Sequence, residues 1–190
     1  MRHKKNNFYL GAQNVSQYDN GAYTGEISSN ALNELGIDFC IVGHSERRQI
    51  FNENNNDVNL KSYKLINNDI VPIICIGETF DEKENGKTND ILAEQLAHSL
   101  PEISNSSNTI IAYEPVWAIG TGLTPTLNEI NKTHEFIKNH NAKFVNYNIV
   151  YGGSVKASNA KEIISLSNVN GALIGGASLK ADDFIKIIKD

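Results

Sequence analysis

The alternation of short apolar runs with segments of helical periodicity constrains the fold of this chain more than any other feature. Six runs rich in Val, Ile, Phe and Tyr are predicted as strands: Phe8–Gln13, Asp38–Val42, Val71–Ile76, Thr109–Tyr113, Asn148–Tyr151 and Gly171–Ile174. Each is followed by a predicted helix: Ile27–Leu35, Asp57–Asn67, Asp90–Leu100, Thr126–Asn139, Asn159–Ser165 and Asp182–Lys189. This pattern predicts an α/β fold with a parallel sheet, because parallel strands need crossover connections that are usually helices.

The organisation of the chain favours one domain over residues 1–190, since no low-complexity or linker-like segment interrupts the alternation. Six βα units in 190 residues have about the unit length expected when eight units fill the roughly 250 residues of a (β/α)8 barrel. The pattern alone fits an open doubly wound sheet equally well, because six parallel strands do not demand closure.

Composition excludes several classes of partner. A net charge of -5 argues against nucleic-acid or membrane-surface binding, and Arg2–Lys5 is the only basic cluster. No apolar stretch approaches the roughly 18 residues of a membrane helix, and Met1–Asn7 lacks the apolar core of a signal peptide. Cys40 and Cys75 lie in apolar runs without metal-ligand spacing, which predicts buried free thiols and a cytoplasmic protein.

The conspicuous polar and glycine residues follow the predicted strands, where (β/α)8 enzymes carry their working residues. The motifs are Gly43-His44-Ser45-Glu46-Arg47-Arg48, Tyr113-Glu114-Pro115-Val116-Trp117-Ala118-Ile119-Gly120-Thr121-Gly122, Tyr151-Gly152-Gly153-Ser154 and Gly175-Gly176-Ala177-Ser178. From about Phe8 to its end, the chain resembles the triose-phosphate isomerases in the order and spacing of these motifs. The resemblance implies a (β/α)8 barrel that lacks about its first two βα units, with six units present.

The resemblance implies proton transfer through an enediolate, which interconverts dihydroxyacetone phosphate and D-glyceraldehyde 3-phosphate. Moving a proton between the carbons of an α-hydroxy carbonyl needs a base, a hydrogen-bond donor that polarises the carbonyl, and exclusion of water. Glu114 is the candidate base, because it ends an apolar strand and precedes an apolar loop that could cover it. A solvated strand-end Glu is the ordinary alternative, which the lid sequence disfavours.

His44 is the candidate donor, because a predicted helix starts at Ser45 and a helix amino terminus disfavours a second proton on the imidazole. This tuning is a known example from the same family, so the role is carried over by resemblance. A lone His is more often structural, and that interpretation is given to His3, His98, His134 and His140. The chemistry calls for no metal or organic cofactor.

Four residues resemble the family's phosphate-binding positions: Gly120, Ser154, Gly175 and Gly176. Their backbone N–H groups could surround a phosphate, and a helix start after Gly175 would favour an anion. A Gly-Gly pair after a strand is by itself usually a turn. Its position at the end of the last strand favours binding, because barrels commonly hold phosphate there.

The segment Gln13–Glu26 resembles the family's dimer-forming loop, so the resemblance implies a homodimer in which Thr24 reaches toward the neighbouring active site. The substrate implied is a small-molecule triose phosphate. The loop Val116–Ile119 is expected to be a lid, since four apolar residues in succession are unfavourable on a surface without a partner.

The chain departs from the family at its start. Triose-phosphate isomerases begin with a strand that ends in Asn-x-Lys, which this chain lacks, and in the family the residue matching Glu46 pairs with that lysine. We expect these 190 residues alone to expose open sheet edges and to have negligible activity. Three alternatives stay open: an isomerase completed by a partner segment or recorded from an internal start at Met1, a non-catalytic remnant that binds phosphate or a full-length subunit, and a different phosphate-binding barrel enzyme.

Overall fold

A computed structural model describes residues 8–119, 121 and 123–189. Strands and helices alternate along this part of the chain. The strands are β1 Gly11–Ala12, β2 Phe39–Val42, β3 Val71–Ile76, β4 Ile110–Tyr113 and β5 Asn148–Tyr151. The α-helices are α1 Ser29–Glu34, α2 Ser45–Ile50, α3 Asn55–Asn67, α4 Phe80–Glu84, α5 Thr88–Ser99, α6 Leu127–Asn139, α7 Ala160–Ile164 and α8 Ala181–Lys189. Short 3-10 helices occupy Val116–Ala118, Ala142–Phe144 and Gly176–Leu179.

The five strands form one sheet in chain order, β1-β2-β3-β4-β5. The pairs β1–β2 and β2–β3 are parallel, with Phe39 opposite Gly11 on one side and Val71 on the other. Neighbouring strands in the sheet are therefore neighbours in sequence, as successive βα units require. The predicted alternation is confirmed for the first five units, although the first strand covers only Gly11–Ala12 of the predicted Phe8–Gln13.

The sixth predicted strand, Gly171–Ile174, is reduced to a single parallel bridge between Tyr151 and Ala172. Backbone hydrogen bonds still flank the bridge, since Tyr151 N–H donates to Gly171 O at 3.0 Å. At one end of this pairing, Asn170 N–H donates to Ile149 O at 2.9 Å, and Ile149 N–H donates to the side-chain Oδ1 of Asn170 at 3.0 Å. A side chain thus replaces the backbone acceptor that a longer strand would supply.

Helix α6 illustrates how local sequence sets an element and its buried face. Thr126 Oγ1 accepts from Glu129 N–H at 3.2 Å, and Thr126 N–H donates to Glu129 Oε2 at 2.7 Å. This is the predicted capping box, in which two N–H groups at the helix start are satisfied reciprocally. Ile130, His134 and Ile137 recur at helical spacing and are fully buried. His134 is thus a core residue, as predicted.

The described residues fall into two compact units: one contains those up to Cys75 and Gln95–Ile110, the other contains Ile76–Glu94 and those from Ile111 onward. The first unit is built on apolar residues that are at most 1% exposed: Val15, Cys40, Val42, Val58, Leu65, Ile70, Ile74, Cys75 and Leu96. The second is built on a similar set: Ile76, Leu92, Ile111, Ala112, Ile130, Ile137, Ile149, Tyr151, Ala160 and Ile163. Each unit thus has a core of its own.

Large apolar side chains are exposed near both ends of the strand order. Phe8 and Leu10, which lead into β1, are 67% and 53% exposed. Leu179 and Ile188, after the last bridge, are 86% and 62% exposed. These side chains are the apolar surface expected beside open sheet edges.

The cysteines are free and buried, as the sequence predicts. Burial raises the pKa of the Cys40 thiol to about 12, so this thiol stays protonated and unreactive near neutral pH. Among the helices of the described residues, none is long and apolar enough to cross a membrane.

Glu53 is the centre of a buried ionic cluster in the first unit. Its carboxylate accepts from Arg47 Nε at 2.6 Å, from Lys61 Nζ at 2.7 Å and from Gly43 N–H at 2.9 Å. Burial alone would raise the pKa of Glu53, but the hydrogen bonds from Lys61 and Arg47 outweigh burial and hold that pKa below its usual 4.5. The cluster therefore stabilises the fold only while Glu53 is ionised.

We predict that Glu53→Gln lowers the free energy of unfolding by about 3–5 kcal/mol at neutral pH, because it leaves buried Lys61 without its counter-charge. Because folding lowers the pKa of Glu53, its contribution is complete above pH 4.5 and is lost as the pH falls through the lower folded value. The variant should therefore lose less stability in acid than the parent. Urea unfolding measured stepwise from pH 7 to pH 3 tests both points.

The matched control for this experiment is Glu34→Gln, which makes the same chemical change at an exposed position of α1. Its unfolding free energy should stay within about 0.5 kcal/mol of the parent. Equal effects of the two substitutions would contradict the role given to the Glu53 cluster.

Candidate functional site

Glu114 lies directly after β4 and is only 2% exposed. Its N–H donates to Ile76 O at 2.8 Å, which continues the strand pairing one residue past the strand end. Two glycines make room for it: a Cβ on Gly77 would overlap the Glu114 carbonyl oxygen, and one on Gly152 would lie 2.7 Å from Glu114 Cγ. The carboxylate is thus seated in a narrow, largely dry position, where it interacts strongly with any charge that develops nearby.

The predicted lid begins as a 3-10 helix, Val116–Ala118, that is tied to Glu78. Val116 N–H donates to Glu78 O at 3.0 Å, and Trp117 Nε1–H donates to Glu78 Oε1 at 2.9 Å. On the other side, Lys83 Nζ lies 3.5 Å from the centroid of the Trp117 ring. The indole is therefore held by a charge-assisted hydrogen bond and a cation–π contact.

Glu78 is a buried carboxylate that the sequence reasoning missed. Tyr113 OH donates to it, 3.2 Å from both carboxylate oxygens. Burial raises the pKa of Glu78, and the hydrogen bonds from Trp117 and Tyr113 only partly offset that effect. Its position after β3 was an available signal, because the other candidate residues also follow strands.

Three of the four predicted phosphate residues, Ser154, Gly175 and Gly176, lie in neighbouring segments of the second unit. Ser154 follows β5, and its hydroxyl donates to Ala118 O in the lid segment at 2.8 Å. Gly175 and Gly176 are exposed and begin the 3-10 helix after the bridging segment. The bridge between Tyr151 and Ala172 brings the two segments side by side. Gly120 lies outside the described residues.

His44 belongs to the first unit and caps helix α2, which starts at Ser45 as predicted. Its Nδ1 accepts from Glu46 N–H at 3.3 Å. A neutral imidazole has one donor and one acceptor nitrogen, so this hydrogen bond assigns the proton to Nε2. In its neutral form the imidazole therefore has an Nε2–H donor, as the predicted role requires.

Glu46 and Thr24 are the other predicted residues of the first unit. The Glu46 side chain is 70% exposed, with Oε2 3.9 Å from His44 Nδ1. Thr24 is exposed in a loop that a hydrogen bond from Ser16 N–H to Ile27 O closes at 2.8 Å. No cluster of three or more His, Cys, Asp or Glu side chains suited to a metal occurs within the described ranges.

We predict that Glu78 titrates with an apparent pKa above 4.5 and that the fluorescence of Trp117, the only tryptophan of the chain, reports the titration. The reason is that the protonation of Glu78 removes the charge that the indole N–H faces. Glu78→Gln should abolish the pH-dependent change in emission, whereas Glu84→Gln, at an exposed position of α4, should keep it. Emission that is independent of pH in the parent would contradict the charged contact.

Comparison with known proteins places this geometry in a family. The family model for triosephosphate isomerase matches residues 1–190. Triosephosphate isomerase of Francisella tularensis subsp. mediasiatica is 50% identical over 186 residues, which cover 94% of this chain and 74% of the relative. The enzyme of Mesomycoplasma hyorhinis is 47% identical over 179 residues, covering 94% of this chain and 72% of the relative.

A solved structure agrees with these sequence matches. The crystal structure of triosephosphate isomerase from Bartonella henselae superposes with a TM-score of 0.87 at 42% identity, and the match covers 95% of this chain and 75% of the other. This confirms the predicted (β/α) barrel over the open doubly wound sheet. The chain belongs to the triosephosphate isomerase family.

Proposed function

We propose that Glu114 is the base and His44 the hydrogen-bond donor in the interconversion of dihydroxyacetone phosphate and D-glyceraldehyde 3-phosphate, the reaction of this family. The observation that carries the proposal is the seating of Glu114. Its carboxylate is buried at a strand end, between glycines that leave no room for another side chain, and the apolar lid segment follows it directly. A carboxylate placed in this way is suited to proton transfer with water excluded.

The reaction needs one proton to move between adjacent carbons. The Glu114 carboxylate takes a proton from C1 of dihydroxyacetone phosphate, and the electron pair released forms an enediolate with negative charge on O2. The His44 Nε2–H donates a hydrogen bond to that oxygen as its charge develops. A proton moves from O1 to O2, and Glu114 then returns its proton to C2, which gives the aldehyde.

Ser154, Gly175, Gly176 and Gly120 are proposed to hold the substrate phosphate. A Cβ on Gly175 or Gly176 would meet no protein atom within 4 Å, so protein packing does not explain why glycine stands at either position. Close approach of a ligand to the backbone would explain it. The N–H groups at the start of a helical turn also favour an anion.

The homodimer and the cytoplasmic location are part of the same proposal. Two features of the loop Gln13–Glu26 support an interface there: it carries a pair of half-exposed tyrosines, and Tyr18 and Tyr23 stack with ring centroids 4.3 Å apart. Aromatic side chains are enriched in the cores of interfaces. The two buried free thiols suit a reducing compartment.

We predict that, in the chain complemented with the first two βα units of a relative, Glu114→Gln lowers kcat by about 10²–10⁴-fold, because the amide keeps the shape of the side chain and loses its basicity. Binding of inorganic phosphate should change little. Turnover is measured with coupled assays of the reaction in both directions. Deuterium uptake from D2O into the product is followed by mass spectrometry. The control is Glu135→Gln, the same change at an exposed position of α6. A Glu114→Gln variant with the parent kcat would refute the assignment.

We predict that the chain sediments at twice the mass of a single copy, and that Thr24→Arg shifts it toward the monomer. A bulky cation at the proposed interface has to be desolvated, which disfavours association. Asn139→Arg adds the same side chain at an exposed position of α6 and should leave the mass unchanged. Analytical ultracentrifugation over a range of concentrations distinguishes the outcomes, and a monomeric parent would contradict the dimer.

A further inference from the structure

Gly43 joins the end of β2 to His44, and two charged side chains, buried Glu53 and half-buried Arg48, hold both of its polar backbone atoms. Its N–H donates to Glu53 Oε1 at 2.9 Å, and its carbonyl oxygen accepts from Arg48 Nε at 2.8 Å. Gly43 has φ +69, a conformation that side chains disfavour, and a Cβ there would lie 3.0 Å from Arg48 Nη2. We propose that Arg48 is a positioning residue for the His44 imidazole and acts through Gly43.

Arg48 contacts the peptide groups on both sides of His44. Its side chain binds Gly43 O, which belongs to the peptide unit that precedes His44. Its own backbone N–H donates to His44 O at 3.1 Å, in the first turn of α2. With both peptide planes fixed, His44 is held at φ -52 and ψ 143, and the direction of its Cα–Cβ bond is set. The hydrogen bond from Glu46 N–H to Nδ1 then fixes the rotation of the ring.

The guanidinium group is itself anchored to three other elements of the first unit. Nη1 donates to Asn55 Oδ1 at 2.7 Å, at the start of α3. Nη2 lies 3.2 Å from Cys75 O in β3 and 3.3 Å from Ser99 Oγ at the end of α5. All three guanidinium nitrogens thus donate to acceptors in fixed directions. A lysine at this position would keep the charge but could not reproduce the planar fork.

This inference rests on the proposed role of His44. A donor that strengthens its hydrogen bond as charge develops on the substrate is effective only within a few tenths of an ångström of the right place. Loss of the Arg48 bond to Gly43 frees the preceding peptide plane and lets the ring drift. The substrate phosphate is not held by these atoms, so the change should affect kcat much more than KM.

The first test determines directly which nitrogen of the His44 imidazole carries the proton. With 15N-labelled histidine, long-range 1H–15N spectra report which ring nitrogen carries the proton, and the His44→Gln variant assigns the signals of His44 among the five histidines. We expect a single Nε2–H form in the parent and shifted or exchange-broadened His44 signals in Arg48→Lys. Asn68→Ala is the control, because it removes side-chain hydrogen bonds to Ser29 and Lys64 in the same unit, away from Gly43. Unchanged His44 signals in a folded Arg48→Lys variant would overturn the inference.

The second test is a double-mutant cycle on kcat, measured in the chain complemented with the first two βα units of a relative. Arg48→Lys should lower kcat by about 10- to 100-fold with KM within about twofold, and it should have little further effect when His44 is already Gln. If the two effects on kcat multiply instead, Arg48 does not act through His44 and the inference is wrong. If His44→Gln keeps the parent kcat, the proposed function is wrong, while the 15N spectra still decide the positioning.

If Arg48→Lys does not fold, the His44 spectra and kcat are both measured on Asn55→Ala instead. It removes the shortest anchor of the guanidinium and leaves its charge in place. We expect the same direction of change in the His44 signals and in kcat, with a smaller magnitude. A folded Asn55→Ala variant with the parent's spectrum and kcat would overturn the inference.

Discussion

The hydrogen-bond ladder between neighbouring strands runs past the strand ends into the loops, and the placement of the candidate catalytic groups in the second unit depends on it. Glu114 N–H reaches back to Ile76 O, and Val116 N–H to Glu78 O. Gly152 N–H donates to Tyr113 O at 2.7 Å, on the other side of the same strand. The backbone around Glu114 is therefore as fixed as a strand, although it lies in a loop, and a rigid support is what a catalytic carboxylate needs.

Two buried carboxylates show how the surroundings decide the charge of one residue type. Glu53 faces Lys61 and Arg47, and these cations more than offset the cost of burial, so its pKa falls. Glu78 accepts hydrogen bonds from the neutral donors Trp117 and Tyr113, and these together with the charge of Lys83 do not offset burial, so its pKa rises. The first carboxylate fixes a structural cluster, whereas the second can change its charge while it holds the lid segment.

Much of the fold followed from local sequence. Periodicity located the first five strands and the main helices, and the capping box of Thr126 and Glu129 lies where the sequence put it. The start of α2 at Ser45 was also predicted, because a helix start is encoded by residues close together in sequence. The sixth strand was overestimated, and the hydrogen bond from Ile149 N–H to the side chain of Asn170 is a contact that periodicity cannot foresee.

The contacts around the candidate catalytic groups could not be predicted from the sequence. Arg48 and Ser99 are 51 positions apart, and Trp117 and Glu78 are 39 apart. Each pair meets only because separate elements fold against each other, and no local pattern encodes such a meeting. The sequence alone therefore does not distinguish three important residues from other charged residues: Glu53, Glu78 and Arg48. The roles of Glu114, His44, Ser154 and the glycines remain predictions, taken from strand ends and from family resemblance.

Gly77 carries no chemistry, yet it limits how the sequence of this protein can vary. Any side chain there would collide with the backbone of Glu114 rather than with a flexible atom that could move aside. The neighbouring β5 loop has a similar limit at Gly152, where the obstacle is the Glu114 side chain. A substitution at Glu114 changes only the side chain of the proposed base, whereas a side chain at Gly77 would displace the backbone at the end of β4. Selection for the fold alone would thus preserve Gly77, and with it the position of Glu114, even in a lineage that no longer used this carboxylate.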